Sequence, residues 1–109
     1  ILYLHGGGFT MGSPQSHRVL STGLARTCDA AVFSLRYSLI PEHPRKKMIG
    51  ECRAGYLWLT RQPLPDGTTD VDCAIVGDSA GGNLALVTGR WASQQAGVPS
   101  PAAVVALSP

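Results

Sequence analysis

Two short stretches of the chain hold residue types that can do chemistry together. Gly77-Asp78-Ser79-Ala80-Gly81 sets a serine between glycines, after the apolar run 73–76 and before a helical pattern. A serine on a tight strand-to-helix turn sits in a strained backbone conformation, and a Cβ at Gly77 or Gly81 would crowd it. The turn exposes the Ser79 hydroxyl at a helix N-terminus, where the dipole favours a developing negative charge. A phosphate loop would need a Gly-Lys-Ser/Thr that this segment lacks. The second stretch, His5-Gly6-Gly7-Gly8-Phe9, follows the first apolar run. Its successive glycines leave backbone N–H groups bare, so that they can converge on an oxyanion with no side chain in the way. At this composition the serine pattern arises by chance in about one chain in eight and the glycine pattern in roughly one in two hundred, so the glycine loop is the sharper signal.

The elements that must position these groups are legible from periodicity. Residues 1–4, 30–35, 73–76 and 102–107 are short, continuously apolar or β-branched runs bounded by Gly, Pro or Asp, and they predict buried parallel strands. Helical spacing appears over 16–28, where Leu20, Leu24 and Cys28 recur every four residues, and over 46–61, where Met48, Cys52, Tyr56 and Leu59 recur every three or four. Residues 81–95 are almost uncharged, as suits a helix packed on the middle of a sheet. The order βαβαβαβ predicts an open, doubly wound α/β sheet. Both motifs then stand at strand carboxyl ends, the face of such a sheet where ligands bind, which puts Ser79 and the glycine loop on one rim. Residues 63–72, with their Pro and Asp-Gly turn signals, read as a solvated connection.

Composition narrows the remaining possibilities. The 109 residues are 44% hydrophobic and 15% charged, with 13 Gly and 8 Pro, which suits one folded domain and excludes a disordered chain. No apolar run approaches the roughly 18 residues needed to cross a bilayer. A net charge of +2 is too small to serve as an electrostatic footprint for nucleic acid. Cys28, Cys52 and Cys73 form no C-x-x-C pair and leave an odd count, so neither a zinc site nor a disulfide framework is indicated. A reducing compartment is the mild preference, and with no leader in view the expected location is cytoplasmic. The chain opens inside a strand and stops just after another, so residues 1–109 are expected to be part of a larger catalytic domain.

Taken together, His5-Gly6-Gly7-Gly8-Phe9, Tyr37-Ser38-Leu39-Ile40-Pro41-Glu42-His43-Pro44 and Gly77-Asp78-Ser79-Ala80-Gly81-Gly82-Asn83-Leu84-Ala85 resemble the hormone-sensitive-lipase-like family of α/β-hydrolases in order and spacing, over essentially the whole chain. The resemblance implies the α/β-hydrolase fold, here four central parallel strands and three helices. It also implies a carboxylic ester hydrolase that acts on small-molecule esters through an acyl-serine and needs no cofactor or metal. Ser79 would be the nucleophile, and the backbone N–H groups of Gly7, Gly8 and Ala80 the oxyanion hole. His5, Gly6, Gly77, Asp78 and Gly81 would support them, His5 by orienting the glycine loop and Asp78 as a packing residue whose side chain points away across the elbow.

The chain departs from the family pattern in two places. Ile40 stands where Ala is usual, and Arg45-Lys46-Lys47-Met48 replaces a run that is normally aromatic, Pro, then small residues. The three cations are expected to form a solvated face, with a patch for an anionic partner as the alternative. Glu42 and His43 are expected to order their loop, and His17 to start a helix without taking part in catalysis. A serine nucleophile needs a histidine base oriented by a carboxylate, which follow it in chain order in this fold. After Ser79 the chain has no Asp, Glu or His. The acid and base therefore lie beyond residue 109, leaving these residues inactive by themselves, or the protein is a small-ligand receptor on the same fold.

Overall fold

The computed structural model describes all 109 residues, Ile1 to Pro109. Four strands, β1 (Leu2–Leu4), β2 (Phe33–Ser34), β3 (Ala74–Asp78) and β4 (Ala103–Leu107), alternate with three helices, α1 (Arg18–Cys28), α2 (Arg45–Thr60) and α3 (Ala80–Gln94). All pairings are parallel and the sheet order is β2-β1-β3-β4. The register sets Leu2 opposite Ile75, Leu4 opposite Gly77 and Asp78 opposite Leu107. From β1 the chain runs outward to β2, then crosses back over β1 to reach β3. The connections leaving β1 and β3 thus diverge, which opens a crevice at their carboxyl ends where ligands bind in such sheets.

The core explains why these segments form these elements. Leu2, Leu4, Ile75, Met48, Cys52, Tyr56 and Leu84 are each fully buried, so β1, β3, α2 and α3 share one apolar interior. Burying a side chain such as Leu84 stabilises the fold by roughly 2 kcal/mol. The face of α3 turned to the sheet is built from small residues, with Gly81, Gly82, Ala85, Gly89 and Ala92 all buried. An added Cβ at Gly81 would overlap the Leu4 carbonyl, and one at Gly89 would lie 2.6 Å from a Val104 methyl. This close approach seats the start of α3 directly against the ends of β1, β3 and β4.

Three expectations from the sequence need correction. The second strand shrinks from 30–35 to Phe33–Ser34, although ladder bonds from Phe33 N–H to Ile1 O (2.8 Å) and from Leu35 N–H to Tyr3 O (3.1 Å) flank it. β4 is not buried, because only β3 and α3 cover it, and Val105 and Leu107 stay largely exposed. α1 buries no residue, and Cys28 is exposed. Its apolar stripe amounts to Leu20 and Leu24, too narrow a face to hold an eleven-residue helix against the sheet. No helix is long and apolar enough to cross a membrane.

Candidate active site

Ser79 stands between the last residue of β3 and the first of α3, with φ 52° and ψ −119°. A non-glycine residue rarely adopts this backbone, which costs on the order of 1–3 kcal/mol and persists only where the surroundings enforce it. Here they do. A Cβ at Gly77 would overlap the Gly81 carbonyl, so the turn closes only with glycine at residue 77. The Ser79 N–H donates to Leu107 O at 2.7 Å, and the Ser79 carbonyl accepts from Asn83 N–H at 3.1 Å. The elbow is thereby tied to β4 on one side and to the first turn of α3 on the other. The Ser79 side chain is exposed, and its hydroxyl has no hydrogen-bond partner among the 109 residues.

The glycine loop leaves β1 on the same rim. Gly7 and Gly8 have φ of 130° and 62°, a region open to glycine and disfavoured for other residues. Gly7 O accepts from Thr10 N–H (3.1 Å) and Met11 N–H (3.0 Å), which curls the loop. The N–H groups of Gly7 and Gly8 donate to nothing within the chain. Ala80 is the first residue of α3, so its N–H has no intrahelical acceptor. Such unpaired donors can stabilise an oxyanion that forms within their reach.

Behind the loop lies a polar scaffold that is only partly legible in the sequence. The Asp78 carboxylate does not turn idly away from the elbow. Its Oδ1 accepts from the Tyr3 hydroxyl and from Gly6 N–H (3.1 Å), joining the end of β3 to β1 and to the first glycine of the loop. Burial, aided by the neighbouring Asp78, raises the Tyr3 pKa far above its ordinary value, so the phenol remains a donor. His17 lies at the start of α1 with Nε2 3.5 Å from Asp78 Oδ2, and Ser16 Oγ is 2.9 Å from its Nδ1. Neither contact involves Ser79.

His5 is 1% exposed and stacks on Tyr37 with ring centroids 4.3 Å apart. Its Nδ1 is 2.7 Å from Gly6 O. A carbonyl can only accept, so Nδ1 carries the proton and the ring clamps the loop. Burial lowers the pKa of His5 from the ordinary histidine value and keeps the ring neutral. The Tyr37 hydroxyl donates to His5 O. A further residue, like Tyr3, carries no signal in the sequence. Glu51, on α2, accepts from both Ser38 N–H (2.6 Å) and Ser38 Oγ (2.7 Å), fixing the loop after Tyr37. No local pattern signals that contact, because its partners lie 13 residues apart.

Arg45 is exposed, as expected of a solvated cation, and it also makes two contacts at the site. Its guanidinium donates to Asn83 Oδ1 at 2.5 Å and lies over the Phe9 ring, 5.1 Å from the centroid. It borders a cleft of about 310 Å³ that is also lined by Gly8, Phe9, Ser79, Ala80 and Asn83. A larger hollow of about 510 Å³ beside Ile1 and residues 62–66 has no serine or histidine in its lining, whereas the smaller cleft holds Ser79. Glu42 is exposed, and His43 Nδ1 accepts from Lys47 Nζ at 3.3 Å, both consistent with a surface loop.

Comparison with known proteins places this geometry. A family model described as the alpha/beta hydrolase fold matches residues 1–109. An acetyl-hydrolase of Streptomyces hygroscopicus is 44% identical over 109 residues, all of this chain and 35% of that protein. The hormone-sensitive lipase of Mus musculus is 33% identical over the same span, which is 14% of its length. Among solved structures, the hormone-sensitive-lipase homologue EstE7 from a metagenome library superimposes with a TM-score of 0.83 at 42% identity, covering 99% of this chain and 36% of that one. The chain thus spans about a third of the acetyl-hydrolase and of EstE7. It belongs to the α/β-hydrolase fold family, in its hormone-sensitive-lipase-like branch.

Proposed function

We propose that these residues form the nucleophile and oxyanion-hole part of a carboxylic ester hydrolase. Ser79 Oγ attacks the ester carbonyl while its proton passes to a histidine base, and the carbonyl oxygen becomes an oxyanion. The N–H groups of Gly7, Gly8 and Ala80 stabilise that charge, each donor contributing on the order of 3 kcal/mol to the transition state. Collapse of the intermediate breaks the ester C–O bond, and the alcohol leaves with a proton from the histidine. Water, activated by the same base, then releases the acid from the acyl-serine. The histidine and its carboxylate come from residues outside these 109, because nothing after Ser79 can fill either role. Residues 1–109 are therefore read as a portion of the catalytic domain that turns over no ester by itself.

One observation carries this reading. An exposed serine on a strained elbow shares a cleft with Gly8, whose N–H is unpartnered. The test uses the full-length protein, a fluorophosphonate probe and a short p-nitrophenyl ester. The wild-type protein should be labelled at Ser79 and hydrolyse the ester, and Ser79→Ala should lose both properties. Hydrolysis surviving in Ser79→Ala would remove the serine from the chemistry.

A further inference from the structure

The cleft beside Ser79 contains a cation with no counter-charge. Arg45 is held there by two neutral partners, the Asn83 amide oxygen and the Phe9 ring. These contacts orient the guanidinium, and its five N–H groups exceed what one amide oxygen can accept. The neighbouring carboxylates are otherwise engaged. Glu51 accepts from Ser38, and Asp78 accepts from Tyr3 and Gly6 and faces His17. Glu42 is exposed and makes no ion pair with a cation of the chain. Lys46 and Arg53 border the adjoining surface hollow together with Arg45, so the potential on this side of the cleft is positive.

We infer that Arg45 is a specificity residue that selects esters carrying a second, ionised carboxylate. This rests on the hydrolase reading above and names its substrate class. A planar guanidinium held in place with free donors matches a carboxylate in two-point geometry, which a lysine would not. The cleft is lined by both the serine and the arginine, so a short ester would present its carbonyl to Ser79 and its charge to Arg45 at once. The carboxylate can belong to the acyl part or to the alcohol part, and the experiment separates these sources.

The test compares kcat/KM of the full-length protein on two matched pairs, monoethyl adipate with ethyl heptanoate and γ-acetoxybutyrate with pentyl acetate. Acid release is followed by titration. In at least one pair the anionic-to-neutral ratio should fall about tenfold or more in Arg45→Gln, and further in Arg45→Glu, with high salt eroding the wild-type preference. The pair that responds identifies the part of the ester that Arg45 reads. Matching melting curves for wild type and Arg45→Gln show that the exposed substitution leaves the fold intact. Neutral esters hydrolysed with ratios that Arg45→Gln leaves unchanged in both pairs would overturn this inference alone. No hydrolysis of any of the four esters, with Ser79 unlabelled by a phosphonate, would overturn the hydrolase reading and this inference together.

Discussion

Asp78 offers the sharpest check on the scaffold behind the site. Its Oδ1 accepts from the Tyr3 hydroxyl and from Gly6 N–H, so Asp78→Ala strands the hydroxyl of a buried tyrosine and a buried backbone donor. A hydrogen bond to a charged group contributes about 1.5–3 kcal/mol. The Asp78 side chain is 25% exposed, and water can partly replace it, so the two bonds together are expected to cost about 2–4 kcal/mol rather than the full sum. Thermal and urea melts of the full-length protein should show this loss as a fall of several degrees in Tm. The catalytic consequence differs from the stability consequence. Gly6 is the anchor from which Gly7 and Gly8 extend, and a donor displaced by about 1 Å can cost about a hundredfold in rate. Asp78→Ala should therefore lower kcat by tenfold or more while leaving KM near its wild-type value. Asp78→Asn keeps the accepting Oδ1 and should recover more than half of both losses. An Asp78→Ala protein that melts with wild-type Tm and turns over at wild-type kcat would refute the claim that this carboxylate holds the glycine loop.

Other outcomes follow from the same geometry. Gly7→Val should lower kcat at least tenfold in a folded protein, because a side chain at φ 130° runs into the Met11 carbonyl and must turn the donors away, as steady-state kinetics on a short ester will show. His5 binds its proton more weakly when folded than when unfolded, so its contribution to stability is fully present above the ordinary histidine pKa of about 6.5 and is lost as pH falls below it. Urea melts between about pH 8 and about pH 5, which span that titration, should show wild type losing stability toward acid more steeply than His5→Gln, and parallel curves would remove His5 as the cause.

Some of this molecule is written in short-range pattern and some is not. α2 and α3 were readable to within a residue at each end, because their apolar and small residues recur at helical spacing and their sheet-facing sides are continuous. The Ser79 elbow and the glycine loop were readable for a related reason. Each depends on conformations and close approaches that only glycine permits, so the constraint is stored in adjacent residues. β4 and α1 misled, because an apolar run shows that a segment can be buried without naming what covers it.

The polar contacts around the cleft follow a different logic. Asp78 meets Tyr3 across 75 residues, Arg45 meets Asn83 across 38, and neither pairing leaves a trace in local sequence. What brings them together is the crossover topology. β1 and β3 are neighbours in the sheet while their outgoing connections diverge, so the glycine loop, the serine elbow and the start of α2 converge on one rim from three separate parts of the chain. A family motif fixes the groups common to the reaction, since those must satisfy one transition state. Residues that enter the cleft from other elements are free to vary with the substrate. Arg45 is such a residue, and its departure from the usual aromatic gains a chemical meaning only once the fold has set it beside Ser79.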